Sequence, residues 1–508
     1  MNSDPTNNTE DSSHGQILKS SALIGGSQVL VLLVGIVRTK ILAVLLGPAG
    51  FGLMSVYMSI GELAASIAGL GVDRSGVRQI AVSVGTGEQD RIASTAVIVK
   101  RISVFLGFAG ALVVALAAPY ISALTFGDRS YATGIALVSL MVFCKVITGG
   151  QSALIQGLRR IKDLAMLGII GALGGAVVSV LLVYFLKQDA VAYAVVGIAA
   201  VAMMVSWWYS RPTRIGLQAV QNIDFQREGV DLVKLGFAFM ASAFLMLGAS
   251  YVVRIMIIRY DGLQAAGYYQ AAWALSAMYV GTILQAMGAD FYPRLSASIS
   301  DNVQVNRLVN EQTHVSLLLA GPGIAATLGG SAVLLMLFYS SDFSAAAGML
   351  HWICFGMALR VITWPIGYII VAQGRQTIFF LTELAWAVAN VLLSWLCISY
   401  IGLAGVGVAF FLSYVFHCLM IFPIVHRLTG FRWTQANVRL GIIYLALTAG
   451  VLVVAQSLTA WYAFAVGAVI FVVSGLYSVR TLASLFAPDR LPGPLRAVLR
   501  IRSVESSA

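Results

Sequence analysis

The feature that most constrains this chain is its series of apolar blocks, many of them close to the ~20 residues that a helix needs to cross a membrane. Within hydrocarbon every backbone N–H and C=O must be bonded inside the protein, and a helix achieves this within one segment. Only 10% of the 508 residues are charged, whereas a soluble domain averages about a quarter. The alternating pattern typical of a transmembrane barrel is absent. The sequence therefore predicts an all-α polytopic membrane protein.

The apolar blocks divide into about 14 predicted transmembrane helices. The predicted spans lie near residues 17–46, 51–72, 94–118, 133–157, 164–186, 191–209, 233–258, 264–290, 315–338, 345–371, 377–399, 403–426, 438–458 and 461–479. With the N-terminus in the cytoplasm, 24 of the 32 Lys and Arg residues fall in cytoplasmic segments and only 3 in outer loops. Loops rich in Lys and Arg stay on the cytoplasmic side of a membrane, so this bias predicts the orientation of the helices. Both termini are expected in the cytoplasm, and the protein is expected in the inner membrane. The net charge of +11 then requires no nucleic-acid partner.

Two halves of the chain echo each other with an offset of about 216 residues. Residues 38–57 (RTKILAVLLGPAGFGLMSVY) and 254–272 (RIMIIRYDGLQAAGYYQAA) each carry an Arg near the outer end of a helix, followed by an A-G-F or A-G-Y turn. A weaker echo joins residues 155–159 to 372–375. Because six helices per half is an even number, the halves share one orientation and form two parallel-related six-helix bundles.

The predicted organisation follows from this repeat. It comprises a disordered cytoplasmic tail (1–16), an N-terminal six-helix lobe (17–210), a cytoplasmic linker (211–232), a C-terminal six-helix lobe (233–427), helices 13 and 14 (438–480) and a cytoplasmic tail (481–508). Two parallel bundles are typical of transporters that work by alternating access around a central cavity. Several superfamilies share this layout, so topology alone does not choose among them.

Charged side chains inside the predicted spans are the candidate site residues, because each costs roughly 2.5–3.5 kcal/mol in hydrocarbon and normally faces a cavity or a partner. The cations are Arg38, Lys40, Lys145, Arg254 and Arg360. Their excess over acids predicts a cavity that favours an anionic headgroup. Arg38 and Arg254 are repeat-related and are candidates for a phosphate clamp, because a guanidinium donates two parallel hydrogen bonds.

The cations have a second interpretation. Lys40, Arg38 and Arg254 lie near the predicted outer ends of their helices, where a long side chain can extend to the headgroups instead. Lys145 and Arg360 lie near mid-span, where the alternatives are a cavity position and an interhelical ion pair.

Three acids and one proline complete the candidate set. Glu62 and Glu383 lie within spans and Asp290 at the cytoplasmic end of one, and each is a candidate either for an ion pair or for coupling to a proton or sodium ion. Pro365 removes one backbone hydrogen bond within a predicted helix, which is expected to kink there and is a candidate hinge.

Enzymatic signatures are missing from the sequence. There is no G-x-x-x-x-G-K-S/T loop for a nucleotide and no catalytic or metal-ligating constellation, so neither enzyme activity nor a cofactor or metal is expected. The four cysteines lie inside apolar blocks without zinc or redox spacing.

Several motifs resemble one family of transporters. Residues 41–53 (ILAVLLGPAGFGL), 69–72 (GLGV) and 77–81 (VRQIA) resemble the opening of Wzx-type polysaccharide flippases, which belong to the multidrug/oligosaccharidyl-lipid/polysaccharide (MOP) flippase superfamily and are related to MATE transporters. Residues 359–375 (LRVITWPIGYIIVAQGR) resemble helix 10 of that family, and residues 402–409 the start of its helix 12.

The resemblance implies a lipid cargo. It implies that an undecaprenyl-diphosphate-linked oligosaccharide repeat unit is moved to the outer leaflet for O-antigen or exopolysaccharide export, without ATP. It places Arg38, Glu62 and Arg254 in helices that line the cavity. Membrane lipids, a polysaccharide polymerase and chain-length proteins are the candidate partners.

Three rival functions remain open. A MATE-like drug/cation antiporter would favour acids in its cavity, and the cation excess argues against it. Residues 69–78 nearly match a major-facilitator signature, with one residue too many. A membrane scaffold would have little use for charges near mid-span.

Overall fold

The structure, a computed structural model, describes residues 5–211 and 225–485, and at residues 5–24 and scattered further positions it describes the backbone only. The helices are α1 (Pro5–Ala68), α2 (Val72–Thr86), α3 (Gln89–Phe126), α4 (Ala132–Gly157), α5 (Ile161–Leu186), α6 (Val191–Ser210), α7 (Phe225–Ala297), α8 (Asn302–Gly329), α9 (Ser331–Phe338), α10 (Ala347–Ala372), α11 (Gln376–Ile401), α12 (Gly405–Thr429), α13 (Gln435–Ser457) and α14 (Ala460–Leu485), with short 3₁₀ helices at Lys187–Ala190 and Ser341–Ala346. The described ranges contain no β-strand. The all-α class is confirmed.

The helices are long and apolar enough for a multi-pass membrane protein. Ten helical segments of the described chain meet the requirements for crossing a membrane, or eleven when α8 and α9, bent by 81°, count as one broken span. Three of the ten are 43 to 50 residues long: Gly25–Ala68, Ile161–Ser210 and Ala243–Gln285. At 1.5 Å per residue each is about twice the length of one crossing. The multi-pass class is therefore confirmed, and the count of 14 spans stays a prediction.

The two longest helices contain the same backbone break. In α1 it lies at Gly47 (φ 64°, ψ −179°), and in α7 at Gly262 (φ 78°, ψ −174°). This conformation is essentially restricted to glycine, because a Cβ would clash there. Each glycine therefore joins two helical halves without a loop. The two breaks are 215 residues apart, which agrees with the sequence repeat.

Helix α2 was missed by the sequence analysis, which expected only a connection after residue 72. It runs between two left-handed glycines, Gly71 and Gly87, and buries one face that includes Ile80. Its 15 residues are too few and too polar to cross a membrane, so its apolar face packs on the protein instead.

The predicted segment borders differ from the structure in three places. Helix α1 begins at Pro5, inside the predicted tail at 1–16, and proline is well tolerated at a first helical position. Helix α7 begins at Phe225, inside the predicted linker at 211–232. Helix α14 continues to Leu485, into the predicted C-terminal tail. The remainder of these segments, at residues 1–4, 212–224 and 486–508, lies outside the described residues.

Internal packing divides the chain into an N-terminal unit, Met1–Gly267, and a C-terminal unit, Tyr268–Ala508. The first half of α7 thus belongs with the N-terminal unit, whereas the sequence analysis began the second lobe at residue 233. One reason is a backbone contact: a Cβ built at Gly71 would lie 2.2 Å from the carbonyl oxygen of Gly236. Another is Arg259, whose Nη2 donates to the Ala123 and Leu124 carbonyl oxygens at 2.7 and 2.9 Å, at the end of α3.

Candidate functional site

Arg254 is a buried cation in the first half of α7, with 6% of its surface exposed. Its Nη1 donates a hydrogen bond of 3.1 Å to Ser55 Oγ in the second half of α1. The Ser55 hydroxyl in turn donates to the Gly52 carbonyl oxygen at 2.8 Å. The guanidinium is thus held inside the N-terminal unit, and its burial does not fit a side chain extended to lipid headgroups.

The A-G-F turn of α1 and the A-G-Y turn of α7 pack against each other and place Ser55 next to Arg254. A Cβ built at Gly52 would lie 2.0 Å from the Leu263 carbonyl oxygen, and one at Gly267 would lie 2.0 Å from the Pro48 carbonyl oxygen. The two turns therefore touch backbone to backbone, which only glycine permits. Sequence analysis found both turns through their A-G-F and A-G-Y echo, but not that they pack on one another.

Arg38 lies in the first half of α1 and is half-buried. Its Nε atom is buried and has no hydrogen-bond partner among the described residues. Lys40 is half-buried two residues further along the helix. The Nε atom of Arg254 is likewise buried without an acceptor among the described residues, although its Nη1 donates to Ser55. The predicted clamp between Arg38 and Arg254 stays a prediction.

Lys145 and Glu62 form an ion pair between α4 and α1. The Lys145 Nζ donates to Glu62 Oε1 at 2.9 Å, and the two side chains are 38% and 40% exposed. The pair is therefore partly exposed rather than enclosed. Lys145 is the candidate cation near the predicted mid-span of α4, and Glu62 is the candidate acid in the same unit, so the pair joins two predicted site residues.

Lys145 also lines a polar cavity of about 260 Å³ within the N-terminal unit, which we call the N-terminal cavity. Its lining combines Ser66, Gly69, Gly71, Asp73, Arg74, Ser103, Lys145 and Gly149 with apolar side chains of α7 that include Met240 and Leu247. Asp73 lies against α4, since a Cβ built at Gly149 would be 3.4 Å from its Cβ. Both signs of charge thus face a space that holds several water molecules.

The C-terminal unit contains a second group of polar side chains. Arg360 in α10 and Glu383 in α11 lie near the phenol of Tyr414 in α12. The ring of Tyr414 lies 5.6 Å from Trp386 and 5.9 Å from His417. Trp386 Nε1 and His417 Nδ1 are buried without a hydrogen-bond partner among the described residues. Arg360 and Glu383 were predicted site residues, whereas no sequence pattern joined Trp386 to them.

Asp290 and Pro365 lie in less distinctive surroundings. Asp290 is exposed near the end of α7, and its Oδ2 accepts a 3.1 Å hydrogen bond from Arg294 one turn further on. Pro365 is buried in α10, which continues from Ala347 to Ala372 around it. The coupling role of Asp290 and the hinge role of Pro365 stay predictions. No cluster of metal-ligating side chains occurs among the described residues.

The fold defines the class of protein. The structure matches an inward-facing MATE family multidrug resistance transporter of the MOP superfamily with a TM-score of 0.68 at 15% identity, covering 79% of this chain and 94% of that one. It matches the lipid II flippase MurJ in an inward closed conformation with a TM-score of 0.64 at 14% identity, covering 92% and 99%. The chain therefore has the fold of MOP superfamily transporters, as the sequence motifs predicted.

Sequence comparison identifies the family within that class. The sequence model of the polysaccharide biosynthesis protein family matches residues 17–299, and the chain belongs to this family. It is also 24% identical over 433 residues to proteins named lipid III flippase in Escherichia coli (strain K12) and Shigella flexneri, with 81% of this chain and 99% of each relative aligned. These comparisons indicate a transporter rather than an enzyme.

Proposed function

We propose that this protein is a flippase that moves an undecaprenyl-diphosphate-linked oligosaccharide repeat unit from the cytoplasmic to the outer leaflet of the inner membrane, for O-antigen or exopolysaccharide export. Membership of the polysaccharide biosynthesis protein family supports the pathway. The relatives named lipid III flippase support a lipid-linked cargo. The proposal includes cytoplasmic termini, which the distribution of Lys and Arg supports.

The observation that carries the proposal is a buried donor atom on the cation Arg38 of α1. Arg38 lies in a predicted membrane span, and its buried Nε has no acceptor among the described residues. An unpaired donor on a charged group is costly away from water, unless a ligand supplies the acceptor. The oxygens of a diphosphate are strong acceptors for a guanidinium, and the match is charge-assisted. Arg38 is therefore our first candidate for a cargo contact.

The ion pair of Glu62 argues against a drug antiporter, the main alternative. A site for a cationic drug needs an acid whose charge is not already compensated. Glu62 Oε1 lies 2.9 Å from Lys145 Nζ, so this acid already has a cation beside it. The buried Nε of Arg38, by contrast, has no hydrogen-bond partner among the described side chains.

Membrane potential is a sufficient energy source for this transport. Moving one elementary charge across 100 mV is worth roughly 2.3 kcal/mol, and an interior-negative potential favours outward movement of an anionic diphosphate. Glu62, Glu383 and Asp290 remain candidates for coupling to an ion. A polysaccharide polymerase and chain-length proteins are proposed partners that receive the exported unit.

The test is translocation of a fluorescent undecaprenyl-diphosphate-linked sugar in proteoliposomes, measured as the fraction that a membrane-impermeant quencher reaches. Arg38→Ala is expected to lower the rate about 10- to 100-fold, because a hydrogen bond to a charged group contributes about 1.5–3 kcal/mol. Arg307→Ala removes the same charge from an exposed position that has no assigned role and is the matched control, expected to keep the wild-type rate.

Two results would contradict the proposal. One is the absence of cargo translocation by the wild-type protein together with exchange of a cationic drug for protons, which would identify an antiporter. The other is an equal rate for wild type and the Arg38→Ala variant, which would remove Arg38 from the cargo site.

A further inference from the structure

A groove of about 700 Å³ lies on the surface of the N-terminal unit. The described residues that line it differ from the side chains assigned to the cargo. It is lined by Val97, Lys100, Arg101, Val104, Phe105 and Phe108 of α3 and by Phe143 of α4, and we call it the α3 groove. The six residues of α3 recur at intervals of three and four, so they share one face of that helix.

The second wall of the α3 groove comes from close packing of two helices. A Cβ built at Gly107 would lie 3.3 Å from the carbonyl oxygen of Phe143 and 3.5 Å from its ring carbon Cδ2. The absence of a side chain at Gly107 thus lets α4 approach α3 closely. The ring of Phe143 then borders the groove beside Phe108.

The α3 groove is polarised along the helix axis. Lys100 and Arg101 are exposed at one end, and Phe105 and Phe108, 70% and 63% exposed, form the other. The distance along the axis from Lys100 to Phe108 is about 12 Å, at 1.5 Å per residue. A cationic end and an apolar end at this separation match a phosphate headgroup and the first part of a hydrocarbon chain.

The length of α3 places the cations at a membrane boundary. The helix has 38 residues, about 57 Å, against a hydrocarbon core of about 30 Å. From Arg101 to the end of α3 at Phe126 the rise is about 38 Å, so the cations lie near one edge of the core and Phe105 lies within it. The predicted topology makes this the cytoplasmic edge, where anionic lipids attract Lys and Arg.

We propose that the α3 groove is a binding site for an anionic glycerophospholipid of the cytoplasmic leaflet. Its phosphate contacts Lys100 and Arg101, and one acyl chain lies along Phe105, Phe108 and Phe143. Among the described residues, the lining has no carboxylate, amide or hydroxyl side chain that would recognise a sugar, so the groove suits a membrane lipid better than a glycosylated cargo. Basic pockets between transmembrane helices are a known way to hold such headgroups.

The experiment measures lipid binding without transport. The full-length protein in a neutral detergent is titrated with phosphatidylglycerol or with phosphatidylcholine of the same acyl chains, and the bound lipid is counted by native mass spectrometry. Lys100→Ala with Arg101→Ala is expected to weaken phosphatidylglycerol binding about 30-fold and to leave phosphatidylcholine binding unchanged, since each cation near the surface contributes about fivefold. The difference in phosphatidylglycerol affinity between wild type and this variant should become smaller at high salt, because salt screens exposed charges.

Two further variants complete the design. Arg78→Ala with Lys162→Ala also removes two exposed cations and is expected to bind phosphatidylglycerol like wild type. Phe105→Ala with Phe108→Ala is expected to weaken both lipids, because the acyl chain loses its wall. All these side chains are exposed, so equal thermal unfolding of the four proteins is expected and is checked first.

Three results would overturn the proposal. The first is that the Lys100→Ala, Arg101→Ala variant binds phosphatidylglycerol as tightly as wild type. The second is that the control variant loses as much phosphatidylglycerol affinity as that variant does. The third is that undecaprenyl phosphate displaces the bound lipid and phosphatidylglycerol does not. The last would assign the groove to the cargo's own lipid. Because no transport is measured, a failure of the flippase assay leaves this result unaffected.

Discussion

The hydrogen bond between Arg254 and Ser55 offers a quantitative test of how the N-terminal unit holds a buried charge. Ser55→Ala removes only the hydroxyl oxygen that accepts from Arg254 Nη1 at 3.1 Å, and both side chains are 6% exposed. Water therefore cannot readily replace the lost acceptor. We expect the variant to fold and to be less stable.

The expected cost follows from the charge on the donor. A hydrogen bond to a charged group contributes about 1.5–3 kcal/mol, compared with about 1 kcal/mol for a neutral pair. Ser55→Ala should therefore lower the free energy of unfolding by about 1.5–3 kcal/mol. In an Arg254→Met background the charge is gone, and only the hydroxyl's bond to the Gly52 carbonyl is lost. In this background Ser55→Ala should lower the free energy of unfolding by less than about 1 kcal/mol.

Unfolding from mixed micelles into SDS, followed by tryptophan fluorescence, measures the four free energies of this double-mutant cycle. The coupling energy between the two positions is expected to be about 1–2 kcal/mol, within the range seen for residues in contact. An equal cost of Ser55→Ala in both backgrounds would refute the reasoning, because it would mean that the hydroxyl does nothing for the charge.

Further predictions concern packing and the remaining ion pairs. Gly267→Ala places a methyl carbon 2.0 Å from a backbone carbonyl and should lower stability by about 1–3 kcal/mol, whereas Gly248→Ala meets nothing within 4 Å and should be neutral or stabilising by thermal unfolding. Glu62→Gln and Lys145→Gln should each slow transport while changing stability by at most about 1 kcal/mol, because the pair is partly exposed, and the charge-swapped double variant should recover part of the rate. Arg294→Ala should change the free energy of unfolding by less than about 1 kcal/mol, since its ion pair is exposed.

Local sequence patterns were enough to locate several of the helices. Helix α4 was predicted at residues 133–157 and runs from Ala132 to Gly157, and α6 was predicted at 191–209 and runs from Val191 to Ser210. An apolar block of spanning length has one stable conformation in hydrocarbon, so its position can be read without knowing its neighbours. The 15-residue α2 was missed because it is apolar on one face only and forms no apolar block of spanning length.

Sequence and structure contributed differently to the candidate site. The cost of a charge in hydrocarbon is a local property, so the sequence by itself determined which residues belong on the candidate list, and the A-G-F and A-G-Y echo marked Arg38 and Arg254 as related. Only the tertiary structure decided that Ser55 lies beside Arg254, and that the Nε atoms of both arginines are buried without an acceptor among the described residues. The partners of Arg254 and Lys145 are 199 and 83 residues away in sequence. Such pairings depend on how helices pack, and a pattern with a period of a few residues carries no information about contacts at that separation.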